Sequence, residues 1–169
     1  MSLVPKKIFF VKGKGFSSNS ELRSFEQALR DAGIEKFNIV KVSSIIPPFC
    51  EEVGKDEGLK ELKTGQVVYC VMSKISSNKK DKEICASIGA AKPVNAEDYG
   101  YLSEKHSIGE DPEKVAEITR TLAAEMLATT HGVSFDPSLN IKTKSFTGST
   151  KVRKDGEWAT VLAAAIFIL

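Results

Sequence analysis

Histidine and tryptophan are almost missing from this chain of 169 residues, which has two histidines, His106 and His131, and one tryptophan. No second histidine, cysteine or carboxylate stands at ligand spacing beside either histidine, so no metal site is expected. Cysteine is also sparse, with three residues at positions 50, 70 and 85. The odd count and wide spacing fit neither a CxxC site nor a disulfide framework and read as free thiols in a reducing compartment. The apolar tail, residues 159–169, is too short to span a bilayer. The opening Met-Ser-Leu-Val-Pro-Lys-Lys lacks the apolar core of a signal peptide, so a cytoplasmic protein is expected. Net charge is only +2, and Lys79, Lys80 and Lys82 are interleaved with Asp81 and Glu83, so nothing calls for nucleic acid. There is no Gly-x-Ser-x-Gly elbow. Gly13-Lys-Gly15 lacks the third glycine of a dinucleotide fingerprint, since position 18 is Ser, and reads as a structural turn.

What is present suits one globular domain over residues 1–169: 41% hydrophobic and 27% charged residues. Residues 7–12 form a compact apolar strand. Leu22, Phe25, Leu29 and Ala32 recur at helical spacing after the capping segment Ser17-Ser-Asn-Ser20, and Gly33 ends that helix. Strands are expected at 37–43, 66–74, 83–91 and 99–104. Residues 51–63 read as a charged surface excursion. Asp111-Pro112 starts a second helix through Val115, Ile118, Leu122 and Met126 to about Gly132. Residues 141–153 and 157–169 read as a closing pair of strands about the turn Asp155-Gly156. Strands outnumber helices and partly follow one another, which argues α+β with two main helices.

The most informative segment is Phe37-Asn-Ile-Val-Lys-Val-Ser-Ser-Ile-Ile-Pro-Pro48. A β-branched strand enters the pair Ser43-Ser44, and Ile45-Ile46 with Pro47-Pro48 hold it downstream. A serine hydroxyl can attack the preceding carbonyl when the peptide is held under strain. On these properties alone, a strand end with hydroxyls in a turn is the simpler reading, because Ser17-Ser18 and Ser76-Ser77 are serine pairs too.

The run Ser43-Ser-Ile-Ile-Pro-Pro48 resembles the processing site of the pyruvoyl-dependent arginine decarboxylases. The resemblance extends to residues 25–34, Phe-Glu-Gln-Ala-Leu-Arg-Asp-Ala-Gly-Ile, to Gly100-Tyr-Leu-Ser-Glu104, and to the alanine-rich stretch 159–167. It implies a layered αββα sandwich of mainly antiparallel strands. It also implies self-cleavage into residues 1–43 and 44–169, with Ser44 becoming a covalent pyruvoyl group and Ser43 the new C-terminus. That ketone would form a Schiff base with the α-amine of L-arginine and withdraw electrons as CO2 leaves, yielding agmatine for polyamine synthesis without PLP or metal. Carried over by position, Asn38 would stabilise the oxyanion of the acyl shift. Glu104 would be the proton donor, its carboxyl pKa raised if its strand face is buried. Glu26 stands where the family has an aspartate gripping the guanidinium, and the longer arm puts the preference for arginine in question. Leu29 and Ile45, with Ser43, would line the substrate pocket. The family further implies homotrimers with active sites between subunits and no role for membrane. The rival readings are the same chemistry on another amino acid, and an uncleaved, non-catalytic homologue acting as an oligomeric partner.

Overall fold

The computed structural model describes residues 3–169. In chain order the elements are β1 (Lys7–Ser17), α1 (Glu21–Ala32), β2 (Asn38–Lys41), β3 (Ile45–Ile46), β4 (Glu51–Glu52), α2 (Lys55–Glu61), β5 (Val67–Ser77), β6 (Glu83–Pro93), β7 (Gly100–Ile108), α3 (Pro112–Thr130), β8 (Ile141–Lys151) and β9 (Trp158–Ile168). They build two sheets, ordered β2-β5-β9-β1-β4 and β3-β7-β6-β8. Pairing is antiparallel throughout, except that β2 lies parallel to β5 and β4 parallel to β1 at the edges of the first sheet. Ile8, Phe10, Val71, Ile84, Ile88, Leu102, Val161 and Phe167 close the space between the sheets. α1 and α2 cover the outer face of the first sheet and α3 that of the second. The result is the α+β sandwich expected from the sequence.

β9 explains the layering. It is apolar on both faces, so alternate residues serve two cores: Ala159, Val161, Ala163, Ala165 and Phe167 face the other sheet, while Leu162, Ala164, Ile166 and Ile168 face the helices. A strand without a polar face needs a central place in a sheet covered on both sides. This corrects the expected closing pair. β8, with its many half-exposed polar residues, takes the edge beside β6, while β9 lies between β5 and β1. The turn at Asp155-Gly156, with Gly156 at φ +77°, carries the chain from one sheet to the other.

The expected glycine turn is also corrected. β1 runs straight through Gly13-Lys-Gly15 to Ser17. A Cβ at Gly13 would come within 3.0 Å of the Ala28 carbonyl oxygen, and one at Gly15 within 3.0 Å of the Ser24 carbonyl oxygen. These glycines bring the α1 backbone down onto the strand. The helix accordingly buries its smallest residues, Ser24, Ala28 and Ala32. Phe25 and Leu29 pack at the flank of that contact, and Leu22 is left 74% exposed. α3 repeats the device over Gly89, where a Cβ would meet the Thr119 carbonyl. It buries Val115, Thr119, Ala123, Ala124, Leu127 and Ala128 rather than the expected Ile118, Leu122 and Met126. Hydroxyls stitch the close approaches: Ser24 with Thr160 at 2.6 Å, and Ser87 with Thr119 at 2.8 Å.

The surface excursion at 51–63 holds β4 and the seven-residue helix α2. Gly58 rests on the Phe9 ring, and a glycine in mid-helix among charges hides such an element from pattern reading. The described strands number nine rather than the expected seven because β3 and β4 are two-residue pairings.

Two outcomes follow from the packing. Gly13→Ala should cost about 1–3 kcal/mol of unfolding free energy by overpacking, read as a lower urea midpoint. Burial pushes the thiols of Cys50, Cys70 and Cys85 up to about 11. All are therefore neutral at pH 8, so Ellman's reagent should titrate them slowly in the native protein and rapidly, all three, in guanidinium.

Candidate active site

The segment between β2 and β3 passes from one sheet to the other. β2 follows the edge of β5 to the pair Lys41–Cys70, and the Val42 N–H extends that ladder by donating to the Cys70 carbonyl at 2.9 Å. Three residues later Ile45 is opposite Tyr101 of β7, in the second sheet. Stacked sheets lie ~10 Å apart, so Ser43 and Ser44 carry the chain across the gap. The Leu102 N–H donates to the Ser44 carbonyl at 2.7 Å, fixing the far end. Downstream, Pro47-Pro48 leads into a turn closed by the Cys50 N–H on the Pro47 carbonyl at 3.2 Å and the Phe49 N–H on the Ala96 carbonyl at 2.9 Å. Phe49 adopts φ +59°, and its ring is 71% exposed. Such a conformation costs a bulky residue about 1–3 kcal/mol, which the surrounding bonds must offset.

The pair itself is accessible. Ser43 is exposed and Ser44 half-buried. The Ile45 N–H donates back to the Ser43 carbonyl at 3.2 Å. Among the described residues only Phe49, Asp81 and glycines have positive φ, so this i to i+2 bond closes an inverse γ-turn centred on Ser44.

Glu104 lies on β7 two residues beyond Leu102, ~7 Å along the strand, and both face the first sheet. Leu102 is buried in the core between the sheets, but Glu104 is exposed, so the single chain does not provide the burial envisaged for its carboxyl. Its charge reaches Cys70, whose thiol is raised chiefly by burial and further by Glu104, against the lowering effect of Lys41. Glu104 and Lys41 therefore flank the same stretch of β5 as the serines. Lys41, which the sequence analysis did not single out, extends its Nζ to the Met72 carbonyl at 2.9 Å. Its place two residues before Ser43 on an edge strand was the signal available.

Ile45 is 39% exposed and lines a hollow of about 320 Å³ with Val42, Pro47, Tyr69 and Phe167. It is a greasy surface beside the serines. The other expected residues lie elsewhere in the chain. Asn38 opens β2 and its Nδ2 donates to the Gly65 carbonyl at 2.8 Å; five residues of largely extended chain, ~16 Å, separate it from Ser43. Glu26 is bound by Arg30, whose Nε donates to Oε1 at 2.9 Å. It lines a different hollow, of about 700 Å³, with Arg23, Gln27 and the turn around Gly156. There Arg153 lies 3.8 Å from the Phe16 ring and grips Glu157 with two bonds at 2.6 and 3.1 Å, holding that carboxyl below its usual range. Ala159, next to this hollow, and Ile166, level with the serines, stand seven residues apart on β9, ~23 Å. Leu29 packs into the core under α1. The single chain thus gathers Ser43, Ser44, Ile45 and Glu104, and holds Asn38, Glu26 and Leu29 apart from them.

Among the described residues no cluster of three or more histidine, cysteine or acidic side chains could hold a metal, and no helix is long and apolar enough to cross a membrane. The model of the family described as pyruvoyl-dependent arginine decarboxylase matches residues 7–169. Pyruvoyl-dependent arginine decarboxylase 1 of Methanosarcina acetivorans is 48% identical, covering 99% of this chain and 98% of its own. The pyruvoyl-dependent arginine decarboxylase of Methanococcoides burtonii is 46% identical over 99% of this chain and all of its own. A probable one from Chloroherpeton thalassium is equally similar, at 46%. The chain belongs to the pyruvoyl-dependent arginine decarboxylase family, whose reaction class is carbon–carbon bond lysis.

Proposed function

We propose that this chain cleaves itself between Ser43 and Ser44 and then decarboxylates L-arginine to agmatine and CO2. The observation that carries the reading is the pinned crossing: Val42 tied to one sheet and Ser44 to the other, with the scissile bond accessible between them. The Ser44 hydroxyl attacks the Ser43 carbonyl, the C–N bond breaks, and an ester forms with a free amine on residue 44. Loss of the Ser44 Cα proton and of the ester oxygen releases Ser43 as a carboxylate. The resulting enamine takes up water and gives off ammonia, leaving a ketone at residue 44. The residues present fit such a group, because the Ser44 carbonyl, which remains its amide, is already held by the Leu102 N–H. When formed, the pyruvoyl group supplies an electrophile for the substrate amine and a sink for the electrons released with CO2.

The chain's own groups then have distinct tasks. Glu104, on the side of the serines reached through Leu102, returns a proton to the substrate Cα. Ile45 and its apolar neighbours receive the aliphatic stem, with the Ser43 carboxylate beside them. Glu26 takes the guanidinium and Asn38 assists the acyl shift, with Leu29 behind the pocket; all three would reach a serine pair across a subunit boundary. A homotrimer of cleaved protomers is supported by their separation from Ser44 within one chain. It is supported also by the open edge of β5 beyond Cys70 and by the exposed apolar side chains Val40, Val42, Ile45, Phe49 and Val67. Free cysteines suit a cytoplasmic enzyme, and agmatine would feed polyamine synthesis.

Intact mass of the purified protein should show two chains, 1–43 and 44–169, the larger reactive to carbonyl reagents, whereas Ser44→Ala should stay whole. A single unreactive species in the wild type would favour the uncleaved, non-catalytic partner. Cyanoborohydride with candidate amino acids should trap arginine on the larger chain. Capture of ornithine or aspartate instead would assign the same chemistry to another substrate, as the longer arm of Glu26 allows. Glu104→Gln should cleave normally and lose about 10²–10⁴ in kcat; full turnover would remove Glu104 from the proton-donor role.

A further inference from the structure

We infer that the backbone N–H of Ile45 is a second donor, beside Asn38, that stabilises the oxyanion of self-cleavage from within the protomer, supplied by the inverse γ-turn centred on Ser44. The inference rests on the self-processing reading above. The atom that gains charge when the Ser44 hydroxyl adds to the Ser43 carbonyl is the Ser43 oxygen, and within the chain the Ile45 N–H already points at it, 3.2 Å away. Within the same chain Asn38 is at the other end of β2, its amide on the Gly65 carbonyl, so its own assistance would come from a neighbouring subunit.

The strand pairing leaves this N–H free for the task. Ile45 is opposite Tyr101 in an antiparallel ladder, and the Leu102 N–H donates to the Ser44 carbonyl. That bond makes Ile45–Tyr101 a non-hydrogen-bonded pair, in which the N–H of Ile45 turns away from β7. The same bond fixes the Ser44 carbonyl, hence the peptide plane that carries the Ile45 N–H, so the donor is aimed before reaction begins. At 3.2 Å it is long for the neutral carbonyl. It gains most when the oxygen becomes an anion and moves towards it, which is differential stabilisation of the transition state.

The chemistry balances within the segment. Addition of the Ser44 Oγ closes a five-membered ring through the Ser43 carbonyl carbon and the N, Cα and Cβ of Ser44. The carbonyl π pair goes to the oxygen facing Ile45. Collapse returns that pair, breaks the C–N bond, and the hydroxyl proton ends on the freed amine. No co-reactant is consumed before the elimination step.

The test follows cleavage by intact mass after a pulse of cell-free synthesis, in three chains. They are the wild type, Ile45→Pro, and a chain in which isoleucine 45 is replaced by its α-hydroxy analogue so that the N–H becomes an ester oxygen. Proline is tolerated at an edge position whose N–H is outside the ladder, and the ester keeps the side chain. The proline and ester chains, with strand content retained by circular dichroism, should cleave about 100-fold more slowly than the wild type. Cleavage of the ester chain at the wild-type rate overturns the role of Ile45 and leaves the self-processing reading intact. A wild type that never cleaves overturns both. If the proline chain does not fold, the ester chain decides alone.

Discussion

The constraint on which this molecule turns is that the chain changes sheets in the space of two serines. Val42 is the last residue tied to the first sheet and Ser44 the first tied to the second. Neither tie can relax, because each belongs to a ladder continuous with a core. On one side the Cys70 carbonyl is part of β5, itself paired to β9. On the other, Leu102 is fully buried between the sheets. Downstream, Pro47 and Pro48 have fixed φ and stiffen the exit from the crossing. A peptide held between two rigid bodies keeps its geometry without help from solvent, which is what an intramolecular attack at a fixed carbonyl requires.

That rigidity depends on how closely the layers pack. Glycines at 13, 15 and 89 let helix backbones lie almost on the strands, and alanines on β9 serve both its faces. Interiors packed at crystal-like density transmit strain instead of absorbing it. Larger side chains under α1 or α3 would lift the helices and loosen the sheets that hold the crossing. The buried hydroxyl pairs have the same consequence: Thr160 is shared by Ser24 and Ser76, and Thr119 bonds Ser87 while its carbonyl receives Ser103. Each fixes a helix or strand against the next at a single register.

Much of this was legible in the sequence where one residue's character settles its place. Asp111-Pro112 marked a helix start, and Asp111 does cap it by accepting from the Glu113 N–H at 3.1 Å. The serine pair stood out because stiff residues flank it. What was not legible depended on partners. Gly13-Lys-Gly15 looks like a turn in one dimension and becomes a packing surface only once α1 is set on it. Large apolar residues suggested the buried helix faces, but a strand glycine selects small ones, leaving Leu22 and Leu122 outside. The final two strands read as a hairpin because adjacency is all a sequence offers, whereas burial sends one to an edge and one to a centre. The family resemblance named Asn38, Glu104 and Glu26, but only the structure shows that one chain brings Glu104 to the serines and holds Asn38 on β2 and Glu26 on α1 away from them.

Cleavage at this bond is compatible with survival of the fold. Residues 1–43 carry β1, α1 and β2. β1 is not an edge strand: it pairs with β9 along its whole length, from Lys7–Ile168 to Ser17–Trp158, and buries Ile8, Phe9, Phe10 and Val11. A fragment held by eleven such pairs and by the packing of α1 has no route out short of dismantling the first sheet. The same does not hold for the few residues at the cut. Once the bond is broken, Val42 and Ser43 keep a single ladder bond to β5, and Ser43 is no longer covalently joined to the residue 44 that precedes Ile45. The change that the proposed cleavage would make is therefore local, at the one place where room for a substrate is needed, while both sheets stay assembled. Under the proposed cleavage, the two-residue span between the sheets would serve two successive tasks, a held carbonyl before the cut and an open end after it.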